Sequence, residues 1–248
     1  MRTLLSIWGW LMVTLSAIIG FLIQLVLFIL TLGLARDRIL IGRVFRLSAV
    51  VSSRLIPFWH FRVVGEPPKK IGPMVVVSNH CSHADSFLIS GLPWEMKWLG
   101  KSGLFNIPFV GWSMRLSGDI PIVRGDRASI EAAVDQCRAY LSRGVPVIIF
   151  PEGTRSETED LLPFKDGAFR LAIEEGVPIM PVAVEGTRTA LAKHDWRFDY
   201  SRARVTVGSP ISTSGMTEED IDSLMDQTRA AILASRAKIR VLLEAEKT

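Results

Sequence analysis

An apolar run leads into a loop of polar residues at Met74-Val75-Val76-Val77-Ser78-Asn79-His80-Cys81-Ser82-His83-Ala84-Asp85. The run predicts a buried β-strand, and the loop after it carries a base, His80, and a carboxylate, Asp85. Ligand chemistry in open α/β sheets gathers beyond the carboxyl ends of strands, so position and residue type agree here. We therefore interpret His80 as a general base that Asp85 orients.

Two further strand-like runs end in polar residues of the same kind. The first run, Ile120-Pro121-Ile122-Val123, is followed by Arg124. The second, Val145–Phe150, is followed by Pro151-Glu152-Gly153-Thr154-Arg155. Lys101 also follows a predicted strand. The glycine permits a tight turn, and an arginine offers a planar fork of donors that suits phosphate. Glu152 is open to two interpretations. It could act as an acid or base, or it could hold the loop through backbone hydrogen bonds. We expect these strand ends to meet in one cleft with a converging cationic pocket.

The alternation of strands and helices predicts an α/β fold with a mixed, mostly parallel sheet flanked by helices. A helix over 130–141 should stop at Gly144. A last helix should start at Thr217, where Asp220 completes a capping box. An edge strand is expected around Phe61–Val64, and further strands are expected near Trp98, Ile120, Ile148, Val182 and Val205.

The first part of the chain predicts a helical membrane anchor. No charged residue occurs from Thr3 to Ala35, and this apolar stretch exceeds the ~18 residues that mark a membrane candidate. The apolar region of a removable signal peptide would be only about 7–15 residues long, which argues against cleavage. Arg38–Ile56 is typical of a second, amphipathic helix. We therefore divide the chain into membrane-anchoring helices at 1–56 and an α/β catalytic domain at 57–248, and hydropathy leaves open whether the first segment spans or re-enters the bilayer.

The charges favour a membrane partner and argue against nucleic acid. The formal net charge is +4, but the chain has no block rich in lysine and arginine with interleaved aromatic residues. Arg36, Arg38, Arg43 and Arg46 instead cluster after the apolar stretch, as expected at a cytoplasmic membrane face. We expect the protein at the cytoplasmic face of the inner or plasma membrane of a bacterium, with lipid phosphates as its anionic partners.

Cysteine and metal chemistry are weighed as alternatives. The two cysteines, Cys81 and Cys137, make no disulfide framework and fit a reducing compartment. Cys81 with His83 as its base would give a covalent acyl-enzyme, but the sequence offers no third group to orient them. A zinc site through these residues and His80 fails on spacing, because no second cluster of ligands follows downstream. We therefore expect neither a metal nor a cofactor.

Four segments carry a family resemblance. Residues 79–85 resemble the NHxSxxD first motif of the 1-acyl-sn-glycerol-3-phosphate acyltransferase (lysophosphatidic acid acyltransferase) family, and 118–124, 150–156 and 177–182 resemble its second, third and fourth motifs. The resemblance runs from about residue 62 to residue 207. Pro121 departs from the aromatic residue common in the second motif, which bears on acceptor selectivity more than on the reaction.

The resemblance implies a reaction and its partners. His80, oriented by Asp85, would deprotonate the sn-2 hydroxyl of lysophosphatidic acid, and the oxygen would attack the thioester of acyl-CoA or acyl carrier protein. The product would be phosphatidic acid. Residues implied to bind substrate are Lys101, Arg124, Glu152, Gly153, Thr154 and Arg155, and those implied to line an acyl groove are Val177, Pro178, Ile179 and Pro181.

Two alternatives to this function stay open at the level of sequence. One is an acyltransferase or transacylase for another lysolipid, which assays with and without acyl-CoA would separate. The other is a catalytically silent membrane protein that binds lipid, against which the intact His80 and Asp85 argue. For the apolar residues of the fourth motif, a buried strand is an adequate account without any groove.

Overall fold

The computed structural model describes residues 1–31 and 36–246. Within these ranges the chain forms seven strands and seven α-helices, together with short 3-10 turns at 102–106, 187–189 and 218–220. The strands are β1 (Trp59–Val63), β2 (Val75–Ser78), β3 (Lys97–Lys101), β4 (Ile120–Ile122), β5 (Val147–Ile149), β6 (Ile179–Glu185) and β7 (Ser201–Val207). The helices are α1 (Arg2–Leu30), α2 (Ile39–Leu55), α3 (Ala84–Ile89), α4 (Val110–Ser117), α5 (Arg127–Leu141), α6 (Gly167–Glu174) and α7 (Ile221–Ala245).

All seven strands join one sheet in the order β1-β7-β6-β2-β5-β3-β4. The strands β6, β2, β5, β3 and β4 run parallel to one another, β7 is antiparallel to β6, and β1 is parallel to β7. The predicted mixed, mostly parallel sheet is confirmed. Because the parallel strands all end at one edge, the loops after β2, β3, β4, β5 and β6 share that edge, which we call the carboxyl edge.

Strand β2 lies near the middle of the sheet, and helices cover both of its faces. Val75 and Val77 pack in a core built with α5, α6 and α7, whereas Val76 packs on the other face with residues of α3. A strand buried on both faces is apolar at every position rather than at alternate ones. The continuous apolar run before His80 is therefore explained by the position of β2 in the sheet.

The predicted helix limits agree with the structure. Helix α5 begins after Asp126, whose side chain accepts a hydrogen bond from the Ser129 amide at 3.2 Å, and Gly144 beyond its end has a φ of +81°. The predicted capping box of Thr217 and Asp220 is present. It caps a 3-10 turn at 218–220, and α7 follows this turn at Ile221. Both helices therefore start at side chains that satisfy free backbone N–H groups.

Helix α1 is a single helix with two unlike faces. It is the one described helix long and apolar enough to cross a membrane by length and composition. A stripe of mostly small or polar residues is buried along it, and the opposite face exposes large apolar side chains such as Leu15 and Val26. A Cβ atom at Gly20 would lie 2.8 Å from Cβ of Ser48, so glycine allows α1 and α2 to approach closely. Residues 32–35, at the end of the predicted apolar segment, lie outside the described ranges.

The two N-terminal helices are packed into the α/β body. The Gln24 side chain of α1 donates hydrogen bonds to the Ile41 carbonyl and the Ser117 hydroxyl, each at 2.9 Å. Arg46 of α2 is ion-paired with Asp119 at 2.5 Å and with Glu95 at 3.8 Å, and both carboxylates are buried. Residues on both sides of the division expected at residue 56 are therefore in contact.

Candidate active site

His80 and Asp85 form a hydrogen-bonded pair at the carboxyl end of β2. His80 Nδ1 lies 2.7 Å from Asp85 Oδ2, and Asp85 is fully buried in the first turn of α3. The amides of Cys81 and Ser82 donate to the same carboxylate oxygen at 2.8 Å and 3.0 Å. With Nδ1–H donating to this carboxylate, Nε2 is the unprotonated nitrogen. The arrangement leaves Nε2 able to accept a proton from a substrate hydroxyl.

Thr187 is a third member of this group that sequence reasoning missed. Its hydroxyl donates a short hydrogen bond to Asp85 Oδ1, the oxygen that His80 does not use. The residue follows β6, two positions after the strand ends, and is completely buried. The rule applied to β2 and β5, that polar residues after parallel strands face the site, would also have drawn attention to Gly186 and Thr187.

The neighbours of His80 hold its ring and its backbone in place. The Phe150 ring stacks on the imidazole with a centroid distance of 4.2 Å. The Asn79 side chain exchanges two hydrogen bonds of 2.9 Å with the backbone of Val184, which joins the end of β2 to β6. The position of the base is therefore determined by three neighbouring strands.

Glu152 supports the loops through both of its carboxylate oxygens. Its Oε1 accepts the His80 amide at 2.7 Å and its Oε2 accepts the Leu162 amide at 2.8 Å, and the residue is buried. Burial raises the pKa of Glu152, although both amide hydrogen bonds favour its ionised form. Because both oxygens accept backbone amides, the contacts fit the second interpretation, a residue that holds the loop.

The turn after β5 places the third motif beside the pair. Gly153 has a φ of +66°, and a Cβ atom there would lie 3.1 Å from Cε of Lys165. Thr154 is exposed and Arg155 is half-buried; the Arg155 charge lowers the pKa of His83, and the Asp85 charge acts to raise the pKa of Arg155. Arg155 is therefore the predicted cation that lies nearest to the His80–Asp85 pair in the sheet order.

Lys101 and Arg124 lie at the same edge but farther along the sheet. Lys101 ends β3, Arg124 follows β4, and both are exposed. Neighbouring strands are about 4.8 Å apart, so β3 is roughly 10 Å and β4 roughly 14 Å from β2. In the sheet order Lys101 is therefore nearer to His80 than Arg124, which lies at the far rim of the carboxyl edge.

The pKa shifts of Asp85, His83 and Cys81 bear on which group is reactive. Burial alone would raise the pKa of Asp85, but the hydrogen bond and charge of His80 hold that pKa below its ordinary value. Loss of hydration, followed by the charges of Arg155 and His80, lowers the pKa of His83 to about 4. Burial and the Asp85 charge raise the pKa of the Cys81 thiol well above its ordinary value. A weakly basic His83 and a protonated Cys81 both favour His80 as the reactive group.

The residues expected to line an acyl groove lie inside the sheet, at and before the start of β6. Val177 and Ile179 belong to the apolar core packed against α6 and α7, and Pro181 is also buried. Val75 is the register partner of Ile179, and Val77 is that of Pro181, so the segment from Val177 onward lies toward the amino end of β6, away from His80. The alternative given from sequence, that these residues form a buried strand, agrees with their burial. The segment fills the interior of the sheet, and Pro178 is half-buried.

Comparisons with known proteins agree with this geometry. The sequence model of a family described as acyltransferase matches residues 60–185, about half of the chain, including the pair and the loop after β5. The chain belongs to the acyltransferase family. The resemblance inferred from the four motifs is thus confirmed at the level of the family.

Several relatives within this family carry a more specific name. The chain is 34% identical over 187 residues to a chloroplastic 1-acyl-sn-glycerol-3-phosphate acyltransferase of Brassica napus, covering 74% of this chain and 53% of that protein. It is 36% identical over 171 residues to the human 1-acyl-sn-glycerol-3-phosphate acyltransferase alpha, covering 67% and 59%. The chain thus spans little more than half the length of these relatives.

A solved structure shares the fold of the chain. The crystal structure of the 1-acyl-sn-glycerophosphate acyltransferase PlsC from Thermotoga maritima matches with a TM-score of 0.80 and 24% identity, over 97% of this chain and 98% of that one. At this identity the match supports the architecture, including the placement of α1 and α2 within the aligned region. It carries no argument about substrate.

Proposed function

We propose that the chain transfers a fatty acyl group from the thioester of acyl-CoA or acyl carrier protein to the sn-2 hydroxyl of lysophosphatidic acid. The product is phosphatidic acid, an intermediate of phospholipid synthesis. The observation that carries the proposal is the His80–Asp85 pair, with Nε2 free at the carboxyl edge and Arg155 beside it. The names of the relatives support lysophosphatidic acid as the acceptor.

His80 acts as the general base and then as the general acid. Its Nε2 takes the proton of the sn-2 hydroxyl as that oxygen attacks the thioester carbonyl carbon, forming a C–O bond. The tetrahedral intermediate collapses, the C–S bond breaks, and the leaving thiolate takes the proton back from His80. Asp85 stabilises the transient imidazolium because it is a buried carboxylate fixed by several donors.

The loop after β5 supplies groups for the developing negative charge. Among the described residues, no hydrogen bond occupies the backbone N–H groups of Thr154 and Arg155. Free amides at the carboxyl edge are suitable donors to the oxyanion of the intermediate. In this proposal they are positioned by Gly153, whose left-handed backbone turns the chain at this point.

The acceptor phosphate is assigned to the cations of the carboxyl edge. The sn-3 phosphate of lysophosphatidic acid lies only a few bonds from the sn-2 hydroxyl, so its ligand must be close to His80. We assign the phosphate first to Arg155, on the loop after the neighbouring strand β5, and second to Lys101, at the end of β3. Arg124, three strands from β2, is assigned to the rim, where it would attract anionic substrates rather than bind the phosphate directly.

The membrane surface is assigned to the exposed apolar side of α1 and α2. Large apolar side chains are exposed along both helices, including Leu11, Leu22 and Leu47. The buried side of α1 is held against the body near both ends, by the Ser6 hydroxyl at Phe198 and by Gln24 at Ser117. We therefore propose that the helices lie in one leaflet with the body attached, at the cytoplasmic face of a bacterial inner or plasma membrane, and that α1 does not span it.

A product assay tests the proposed function. The purified chain is incubated in mixed micelles with lysophosphatidic acid and either acyl-CoA or acyl carrier protein carrying the same acyl chain, and lipid products are identified by mass spectrometry. The proposal expects phosphatidic acid with the new chain at sn-2, dependent on the thioester. Product formed without any thioester would indicate a transacylase, and acylation of other lysolipids alone would overturn the proposed acceptor.

A further inference from the structure

A second concave site lies between the start of α2, the end of α4 and the body of α5. Its cavity has a volume of ≈ 350 Å³ and is lined by Arg36, Arg38 and Arg115, with Tyr140 and Phe105 among the other residues. The acid in the described lining, Asp119, is already ion-paired with an arginine of α2 at 2.5 Å. The described lining therefore has an excess of positive charge.

Arg38 and Arg115 are held in place by hydrogen bonds to backbone carbonyls, and no carboxylate of the described residues neutralises them. Arg38 Nη1 donates to the Arg115 carbonyl at 2.9 Å, and Arg115 Nε donates to the Phe105 carbonyl at 3.3 Å. Within residues 1–31 and 36–246, no carboxylate lies within ion-pair distance of Arg36, Arg38 or Arg115. The adjacent Arg143 differs, because it is paired with Asp37 at 2.5 Å. The cavity thus presents guanidinium donors that are positioned yet available to an anion.

Tyr140 adds a neutral donor to the same wall. A Cβ atom at Gly118 would lie 2.3 Å from the Tyr140 hydroxyl, so the absence of a side chain there makes room for that hydroxyl. The hydroxyl makes no hydrogen bond to any residue in the described part of the chain. The ring is fixed by the Arg143 guanidinium, which lies 4.8 Å from the ring centroid. An oxyanion in the cavity would therefore meet guanidinium groups and a free hydroxyl.

Exposed apolar residues close in sequence to the lining arginines indicate the kind of anion. Leu30 at the end of α1 is 72% exposed and Leu40 at the start of α2 is 54% exposed. The Arg38 guanidinium lies over the ring of Phe28, 5.4 Å from its centroid, so cationic and apolar groups adjoin at this end of the two helices. A soluble phosphate would use only the charges, whereas a phospholipid would use the charges and the apolar border together.

We propose that this cavity binds the phosphate of an anionic phospholipid whose acyl chains lie along the exposed side of α1 and α2. The cavity is distinct from the active site. Asp119 and Gly118 precede β4 at its amino end, whereas His80 follows the carboxyl end of β2, three strands away in the sheet order. The bound lipid is therefore a ligand of the membrane-bound protein and not the acyl acceptor at His80.

Vesicle binding by the full chain tests the proposal without relying on turnover. The protein carries His80→Ala so that no lipid is consumed, and its binding to phosphatidylcholine vesicles is compared with binding to vesicles in which about a fifth of the lipid is phosphatidic acid. Variants with Arg36→Gln plus Arg115→Gln and with Tyr140→Phe are compared with Arg127→Gln, an exposed arginine at the start of α5 that lies outside the cavity lining. Since binding is measured in an inactive protein, failure of the proposed acyl transfer would leave this test unchanged.

The expected result is a preference for the anionic vesicles that depends on the cavity. Each arginine removed should weaken anionic binding about fivefold, since a basic residue near an anionic surface contributes roughly 1 kcal/mol. Tyr140→Phe should weaken anionic binding, and phosphatidylcholine binding and the Arg127→Gln protein should be unaffected. An unchanged preference in the double variant, or an equal loss in Arg127→Gln, would overturn the proposal.

A second arm separates a lipid headgroup from free phosphate. Thermal unfolding of the full chain is followed with inorganic phosphate, and with short-chain phosphatidic acid below its micelle concentration. The proposal expects the lipid to raise the unfolding temperature more than inorganic phosphate does, and expects Arg36→Gln plus Arg115→Gln to reduce the difference to the part that lipid bound at the active site contributes. Equal stabilisation by both compounds would assign the cavity to soluble phosphates and would overturn the lipid assignment.

Discussion

Removing the Thr187 hydroxyl tests whether the buried carboxylate works as a fixed unit. Thr187→Val keeps the branched shape of the side chain and deletes the donor to Asp85 Oδ1. Hydrogen bonds to charged groups contribute roughly 1.5–3 kcal/mol, which corresponds to about ten- to a hundredfold in rate if the whole contribution supports the transition state. Asp85 keeps its partners His80, Cys81 and Ser82, so we expect the lower end of that range.

The assay is steady-state acyl transfer in mixed micelles, with kcat and KM measured separately. We expect kcat to fall and the KM for both substrates to stay within about twofold, because Thr187 touches Asp85 and not the substrate. Thr187→Ser restores the hydroxyl and should recover most of the activity. Thr189→Val, an exposed threonine in the same 3-10 turn, is the matched control and should behave like the unaltered protein.

Two outcomes would refute this reasoning. A Thr187→Val protein with unaltered kcat would mean that the hydroxyl does not support the catalytic state of Asp85. Failure of Thr187→Ser to recover activity would mean that shape, rather than the hydrogen bond, is what the position requires.

Three further predictions concern substrate binding, pH and the N-terminal helices. Arg155→Gln should raise the KM for lysophosphatidic acid by roughly tenfold or more and leave the donor KM nearly unchanged, because it removes a charge-assisted contact to phosphate. Burial raises the pKa of Glu95 from 4.5 to about 7, so the folded state binds this proton more tightly than the unfolded state. The free energy of unfolding should therefore fall as the pH rises from 4.5 to about 7. Glu95→Gln should flatten this part of the pH profile of denaturant unfolding. Deletion of 1–56 should lower the denaturant concentration at which circular dichroism records unfolding, because it uncovers the buried carboxylates that Arg46 pairs with and costs about 3–5 kcal/mol of a total of roughly 5–15 kcal/mol.

Each of these predictions has a result that contradicts it. Equal increases in both KM values for Arg155→Gln would assign that arginine to structure or to the phosphates of the donor. A pH slope that persists in Glu95→Gln would assign the titration to another group. A truncated chain that unfolds cooperatively at the same denaturant concentration would show that 57–248 folds alone, as the division expected from sequence implies.

The elements that follow from short-range pattern could be predicted from sequence. The run before His80 is apolar because β2 is covered on both faces, and the pairing of His80 with Asp85 spans only a few residues. The order of strands and helices likewise implies a mostly parallel sheet. Such features need no knowledge of distant contacts, which is why they agree with the structure.

Features that depend on distant contacts escaped prediction. Thr187 lies 102 positions from Asp85, so their hydrogen bond depends on the register of β6 with β2. The apolar residues around Ile179 have the composition of either a groove or a core, and only their place inside the sheet decides between the two. Hydropathy similarly does not distinguish a helix face that meets lipid from one that meets protein. The small residues Gly9 and Gly20 of α1 were the available sign that one face packs closely on other helices and loops.

The central claim is that His80 is the base for acyl transfer, and a single-turnover experiment tests it most directly. Enzyme in excess is mixed with labelled acyl thioester and lysophosphatidic acid, and phosphatidic acid is followed by rapid quench for the unaltered chain, His80→Ala and His83→Ala. We predict that His80→Ala lowers the rate of the chemical step by about a hundredfold or more with its circular dichroism unchanged, and that His83→Ala keeps most of the rate, since general-base catalysis contributes roughly 10²–10⁴-fold. A His80→Ala protein that forms phosphatidic acid at the unaltered rate, or an acyl group trapped on Cys81 in the quenched enzyme, would contradict the account.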